Sequence, residues 1–318
     1  MVIKLQVFES VVSFAVIVFV IVILKKKEVL KEEWSGIFSS LITQIVIPVI
    51  IFSQLAFNQI DTRHLIVVLC MFIAGIVSVL LAYTAGKLIK LERSKIGALI
   101  ISSSFGSSTL LGYPLISQIF PNDPAAMSDA IFISELGVGL PIFIIAPFVA
   151  MIFGSSSETK ISVSEIILKY FRSPIFISLV LGIIISMVHL DVKNPYIAPL
   201  TAAADMIKNS MSFLACIILG LIIKVSFNKK LIFLLLISII IQSVLQPFIA
   251  TRFALLFNTG QLEYNVLLIL SSMPSAILGT VFANKYNCSA GLTAELSFYN
   301  ILLSILIIPL MFQFLGIG

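Results

Sequence analysis

Two short stretches carry the residue types that could hold a small anion. The first is Ser102–Leu115, SSSFGSSTLLGYPL, and the second is Ser271–Lys285, SSMPSAILGTVFANK. Each sets serine, glycine and proline in the middle of a strongly apolar run. Proline removes a backbone donor and clashes with the preceding turn, and glycine adds slack, so a helix entering either stretch breaks. In hydrocarbon an unpaired backbone group costs several kcal/mol, and a break survives only against protein or a water-filled cavity. Where each half-helix restarts, free N–H groups and the dipole present partial positive charge. Two such ends meeting at mid-membrane make an anion site without a buried cation. Candidate contacts in the first stretch are Gly106, Ser107, Ser108, Thr109, Gly112 and Pro114; in the second they are Pro274, Ser275, Ala276 and Gly279. Small residues also let helices pack closely, but two proline-bearing clusters at matching places favour a site.

Four other polar residues join this set. Gln242 and Gln246, four apart beside Pro247, are placed to line the cavity or to bond across helices. Glu135 and Glu295 lie inside apolar runs, where an ionisable residue is a functional hypothesis by default. They are the candidates for coupling to a proton or to sodium. Asp205 and Lys208, three apart, read as a paired helix edge, and Asp205 counts as the only aspartate reaching into a run. His64 and His189 sit at run edges with no metal or catalytic spacing. Cys70, Cys216 and Cys288 are unclustered and read as small apolar side chains. No metal or other cofactor is expected. An intramembrane enzyme is disfavoured, because no histidine sits deep in a run to activate a serine. An anion channel or uncoupled facilitator remains the alternative function.

The elements that must position these residues follow from composition. Of 318 residues, 59% are hydrophobic and only 11% charged, against about a quarter charged in soluble domains. The chain is therefore an all-α membrane protein whose surroundings are lipid. The net charge of +5 lies in short loops and argues for membrane topology rather than nucleic acid. Apolar runs of spanning length fall at about 7–24, 36–57, 64–86, 96–119, 127–152, 174–190, 200–223, 231–251, 264–284 and 290–315. Those ten runs predict ten transmembrane helices, the fourth and ninth of them broken. Fifteen Lys and Arg fall on one side and five on the other, which places both termini outside.

Residues 154–173 form the linker between the halves and predict a short interfacial helix, with Ile161, Ile166, Ile167, Tyr170 and Phe171 near one face. Residues 1–153 and 174–318 then carry five spans each, which inverts one half relative to the other. Two registers relate the halves. Pro114 precedes Glu135 by 21 residues, as Pro274 precedes Glu295; alternatively Leu111-Gly112 aligns with Leu278-Gly279.

Several of these segments resemble the auxin efflux carrier family of membrane transporters. KKKEVLKEEWSGIFSSLITQIVIPVIIFSQLA resembles its basic loop and following span, with Ile47-Pro48 as the aliphatic-Pro motif. FGSSTLLGYPL resembles the first broken-helix motif, usually close to FGNTGFLGLPL, with Ser107 where the family often has Asn. MPSAILGTVFANKYN and a last span containing Ile308-Pro309 resemble the second. The long cytoplasmic loop of many plant members is lacking. The resemblance implies a scaffold domain and a transport domain with two crossing broken helices. It also implies a small organic anion as substrate, such as auxin, malate or another carboxylate. The expected setting is the plasma membrane, with homodimer assembly left open.

Overall fold

A computed structural model describes residues 2–57, 63–121, 123–154, 168, 171–187, 197–222, 229–276 and 278–314. Most of the linker, and with it the expected interfacial helix, lies outside the described residues. The described chain is helical, with no named strand. In order, the helices are α1 (Val2–Lys26), α2 (Trp34–Ala56), α3 (Arg63–Leu88), α4 (Arg93–Ser104), α5 (Tyr113–Ile119), α6 (Pro124–Phe153), α7 (Pro174–Ser186) and α8 (Ala198–Ile222). Next, α9 starts as Lys229–Ile239 and continues as Gln246–Leu256, and α10 (Gln261–Ser271), α11 (Leu278–Lys285) and α12 (Ala290–Phe314) complete it. Trp34–Ala56, His64–Leu88, Pro124–Phe153 and Leu231–Leu256 each have the length and apolar composition to cross a bilayer.

Four helical stretches widen into a π-helical turn: Ile42–Val46 in α2, Ser108–Gly112 leading into α5, Ile133–Gly139 in α6 and Ile240–Leu245 in α9. Each ends two residues before a proline, namely Pro48, Pro114, Pro141 and Pro247. The cause is local. A proline ring collides with the carbonyl four residues back and offers it no donor, and a wider turn relieves the collision. Pro147 in α6 and Pro309 in α12, by contrast, sit in plain α-helix.

Packing sorts the helices into two groups. α2 packs on α7 and α8, and α8 on α1; α3 packs on α4 and α9, α4 on α6 and α12, and α10 on α6. Elements from both halves of the sequence thus share each group. α1 also touches α5 and α12, joining the groups. Many large apolar side chains on the outer faces, such as Phe19, Leu65, Leu80, Phe148, Phe233 and Leu306, remain exposed, as lipid contact requires. All three cysteines are buried and free, as their apolar reading expects.

Candidate functional site

The two breaks meet. α4 ends at Phe105, whose backbone is extended, and α10 ends just before Met273. Both ends are prepared by serines that bond back into their own helix. Ser102 and Ser103 donate to the carbonyls of Ala98 and Leu99, and Ser271 and Ser272 to those of Leu267 and Leu268. Such back-bonding competes with the helix ladder. Gly106 and Ser275 then form a single antiparallel β-bridge. Across it the Ser107 N–H donates to the Pro274 carbonyl at 2.7 Å, and the Ala276 N–H to the Phe105 carbonyl at 2.8 Å. Each break thus pairs polar backbone groups that the other exposes, which is the solution a water-poor interior demands.

The bridge pairs the two breaks in space. It sets Ser102-Ser103 opposite in role to Ser271-Ser272, a doublet readable in the sequence but not used there. The Leu-Gly pairs nevertheless act alike. A Cβ on Gly112 would fall on Leu270 of α10, and one on Gly279 would fall on Ile101 of α4. Glycine at both lets each second half-helix lie close against a side chain of the other's first half. Gly112 lies six positions after Gly106, and Gly279 four after Ser275; the π-helical turn Ser108–Gly112 takes up part of the excess.

Gln242 and Gln246 close the far side of the bridge. Both are fully buried. Gln246 Nε2 donates to the Ser104 carbonyl at 3.2 Å, and Gln242 Nε2 to the Met273 carbonyl at 3.2 Å and to Gln246 Oε1 at 2.6 Å. Those carbonyls are orphans at the C-terminal ends of α4 and α10. The glutamines therefore bond across helices and satisfy the breaks; they do not line the large cavity.

That cavity, of about 580 Å³, lies on the near side. Its floor is Gly106, Ser107, Ser108, Thr109 and Ala276; its walls are Ser134, Glu135, Val138 and Ile142 from α6 and Thr43, Gln44 and Ile47 from α2, with Ile175 from α7 and Ile218 from α8. It lies between the two packing groups and runs out to Ser35-Gly36 and Ser173-Pro174, beside the segments carrying Lys25–Lys31 and Arg172. Glu135 is buried at 3% exposure. Its Oε1 accepts from the Tyr113 hydroxyl at 2.8 Å and from Thr109 Oγ1 at 3.1 Å. A carboxylate is thereby held within hydrogen-bond reach of the turn that opens the half-helix.

The predicted residues thus divide. Gly106, Ser107, Ser108, Thr109, Ala276 and Glu135 share the cavity. Pro274 and Ser275 belong to the bridge, with Ser275 also bonded to Ser297 at 2.9 Å. Gly112 and Gly279 serve packing, and Pro114 is buried within α5. Glu295 sits half-buried on α12, away from the cavity. The sequence reading missed Ser134 and Tyr113, neighbours of Glu135 that carry no motif of their own. It also missed Asp129, which overturns the count that left Asp205 as the only aspartate in a span. Asp129 is 2% exposed and bonds His64 Nδ1 at 2.6 Å, with the imidazole stacked on Phe132. Asp205 and Lys208 form an exposed contact at 3.4 Å, as read. Among the described residues no cluster of His, Cys, Asp and Glu could hold a metal.

The profile of a family described as membrane transport protein matches residues 6–312, nearly the whole chain. The chain belongs to the auxin efflux carrier family. Two archaeal relatives agree. An uncharacterized transporter of Methanocaldococcus jannaschii is 29% identical over 291 residues, covering 89% of this chain and 90% of its own. Another, of Methanothermobacter thermautotrophicus, is 26% identical over 307 residues, covering 95% and 96%. The protein is accordingly a membrane transport protein, and the paired breaks are the part of this transporter that its motifs encode.

Proposed function

We propose that this protein is a secondary transporter that carries a small organic acid, with the substrate carboxylate held at the crossing of the two broken helices. One observation carries the reading: the Gly106–Ser275 bridge forms the floor of a 580 Å³ cavity set between two packing groups of helices. The half-helix beginning at Ser108 aims its first N–H groups and its dipole at that floor. In this reading α1, α2, α7 and α8 are the scaffold, and the remaining helices form the transport domain. Ten spans in two inverted halves, both termini outside and a plasma-membrane setting complete it. The layer behind the bridge, Ser104, Met273, Gln242 and Gln246, is buried, which supports alternating access over an open channel. Of the two coupling candidates, Glu135 faces the cavity and is the group that takes up and releases the coupling proton or sodium.

The test is counterflow of labelled carboxylic acids in proteoliposomes, including malate, an indole acetate and apolar acids. Ser108→Leu and Ala276→Leu fill the floor from its two sides. Each is expected to cut uptake at least tenfold while the protein stays monodisperse in detergent. Unchanged uptake in both variants would place the substrate elsewhere.

A further inference from the structure

We infer that the substrate is a zwitterion: an α-amino acid with an apolar side chain, its carboxylate on the half-helix opening at Ser108 and its ammonium on Glu135. This rests on the carrier reading above and names the substrate class of the same site. The opening of a helix is worth roughly half a positive charge, and Glu135, when ionised, brings a full negative charge to the same turn through Thr109. Among the described residues lining the cavity there is no Lys, Arg or His. A substrate carrying only negative charge would therefore enter a low-dielectric space beside a second carboxylate, and like charges so placed disfavour each other. A ligand that brings one charge of each sign meets both groups favourably.

Spacing agrees with this. Thr109 Oγ1 lies 3.1 Å from Glu135 Oε1, while the N–H groups of Ser108 to Leu110 head the half-helix, which runs unbroken to Ile119. Thr109, the second residue of that half-helix, thus ties its opening to the Glu135 carboxyl, and both poles lie at the same end of the cavity. A second, independent observation points to a ligand here. Ser134, the chain neighbour of Glu135, is among the residues around the cavity, and its buried Oγ has no hydrogen-bond partner. Buried hydroxyls are normally paired, and an ammonium with three donors would satisfy Ser134 and Glu135 together. Most of the remaining wall is apolar, with Ile42, Ile47, Ile142, Phe143 and Ile218, interrupted by Thr43 and Gln44. It suits a branched or aromatic side chain, and among the described lining residues it holds no cation for a second acid group.

The purified protein in proteoliposomes tests this with leucine and phenylalanine against their deaminated counterparts, 4-methylpentanoate and 3-phenylpropanoate. A pH-sensitive dye inside the vesicles reports proton movement. Wild type is expected to exchange at least one amino acid tenfold or more faster than its deaminated acid, without proton movement. Glu135→Gln should lose that preference. Ser134→Ala, which breaks no bond of the empty protein, should lower amino-acid uptake several-fold and leave the deaminated acid unaffected. Faster transport of a deaminated acid together with protons would overturn the zwitterion, leaving Glu135 as a proton carrier and the carboxylate site intact. No exchange of any carboxylate would overturn the carrier reading itself.

Discussion

The two buried glutamines behind the bridge should not be equally important, although each makes two side-chain hydrogen bonds. Gln246→Met removes the donor to the Ser104 carbonyl and the acceptor of Gln242 Nε2, and relieves nothing. Gln242→Met removes the donor to the Met273 carbonyl and the partner of Gln246 Oε1. It also deletes Gln242 Oε1, which is already buried without a partner. Methionine keeps length and volume in both cases. An orphaned buried group costs about 1–3 kcal/mol in proteins generally, while side-chain hydrogen bonds within membranes average about 0.6 kcal/mol. Two new orphans against a net one then predict a loss of roughly 2 kcal/mol for Gln246→Met and about half that for Gln242→Met. Titrating folded protein in mixed micelles with SDS measures both differences. A Gln242→Met variant as unstable as Gln246→Met, or less stable, would refute the account of the glutamines as caps on the broken helices.

Two further outcomes test the packing. Gly112→Ala should destabilise by about 1–3 kcal/mol through overpacking, because its new methyl falls on Leu270; pairing it with Leu270→Ala should recover at least about 1 kcal/mol relative to the sum of the single changes, and strict additivity in the same SDS titration would contradict the contact. Asp129→Leu alone should cost about 3–5 kcal/mol by leaving His64 buried without its carboxylate, whereas Asp129→Leu with His64→Phe should cost clearly less, the Phe keeping the stack on Phe132; a double variant no more stable than the single one would refute the pair.

The sequence by itself determined the class of molecule and the places where its helices break. Long apolar runs with most charge in the loops leave membrane helices as the reading, and the serine, glycine and proline of SSSFGSSTLLGYP and SSMPSA weaken a helix locally. Pro48, Pro114, Pro141 and Pro247 each follow a widened turn, whereas Pro147 and Pro309 sit in plain α-helix, so the chain offers the places and packing selects among them. The family resemblance was legible for the same reason: its motifs are the breaks themselves. Only the tertiary structure decided which polar group serves which purpose. Gln242 and Gln246 carry the composition of a lined cavity, yet orphan carbonyls on α4 and α10 claim their amides. Glu135 and Glu295 look equivalent along the chain, but one reaches the cavity and the other stays on the flank of α12. Asp129 finds its partner 65 residues earlier, in His64. A break must satisfy its own backbone locally, so it is written in adjacent residues. A site is made by side chains brought together across distant helices, and that distance is fixed only when the helices pack.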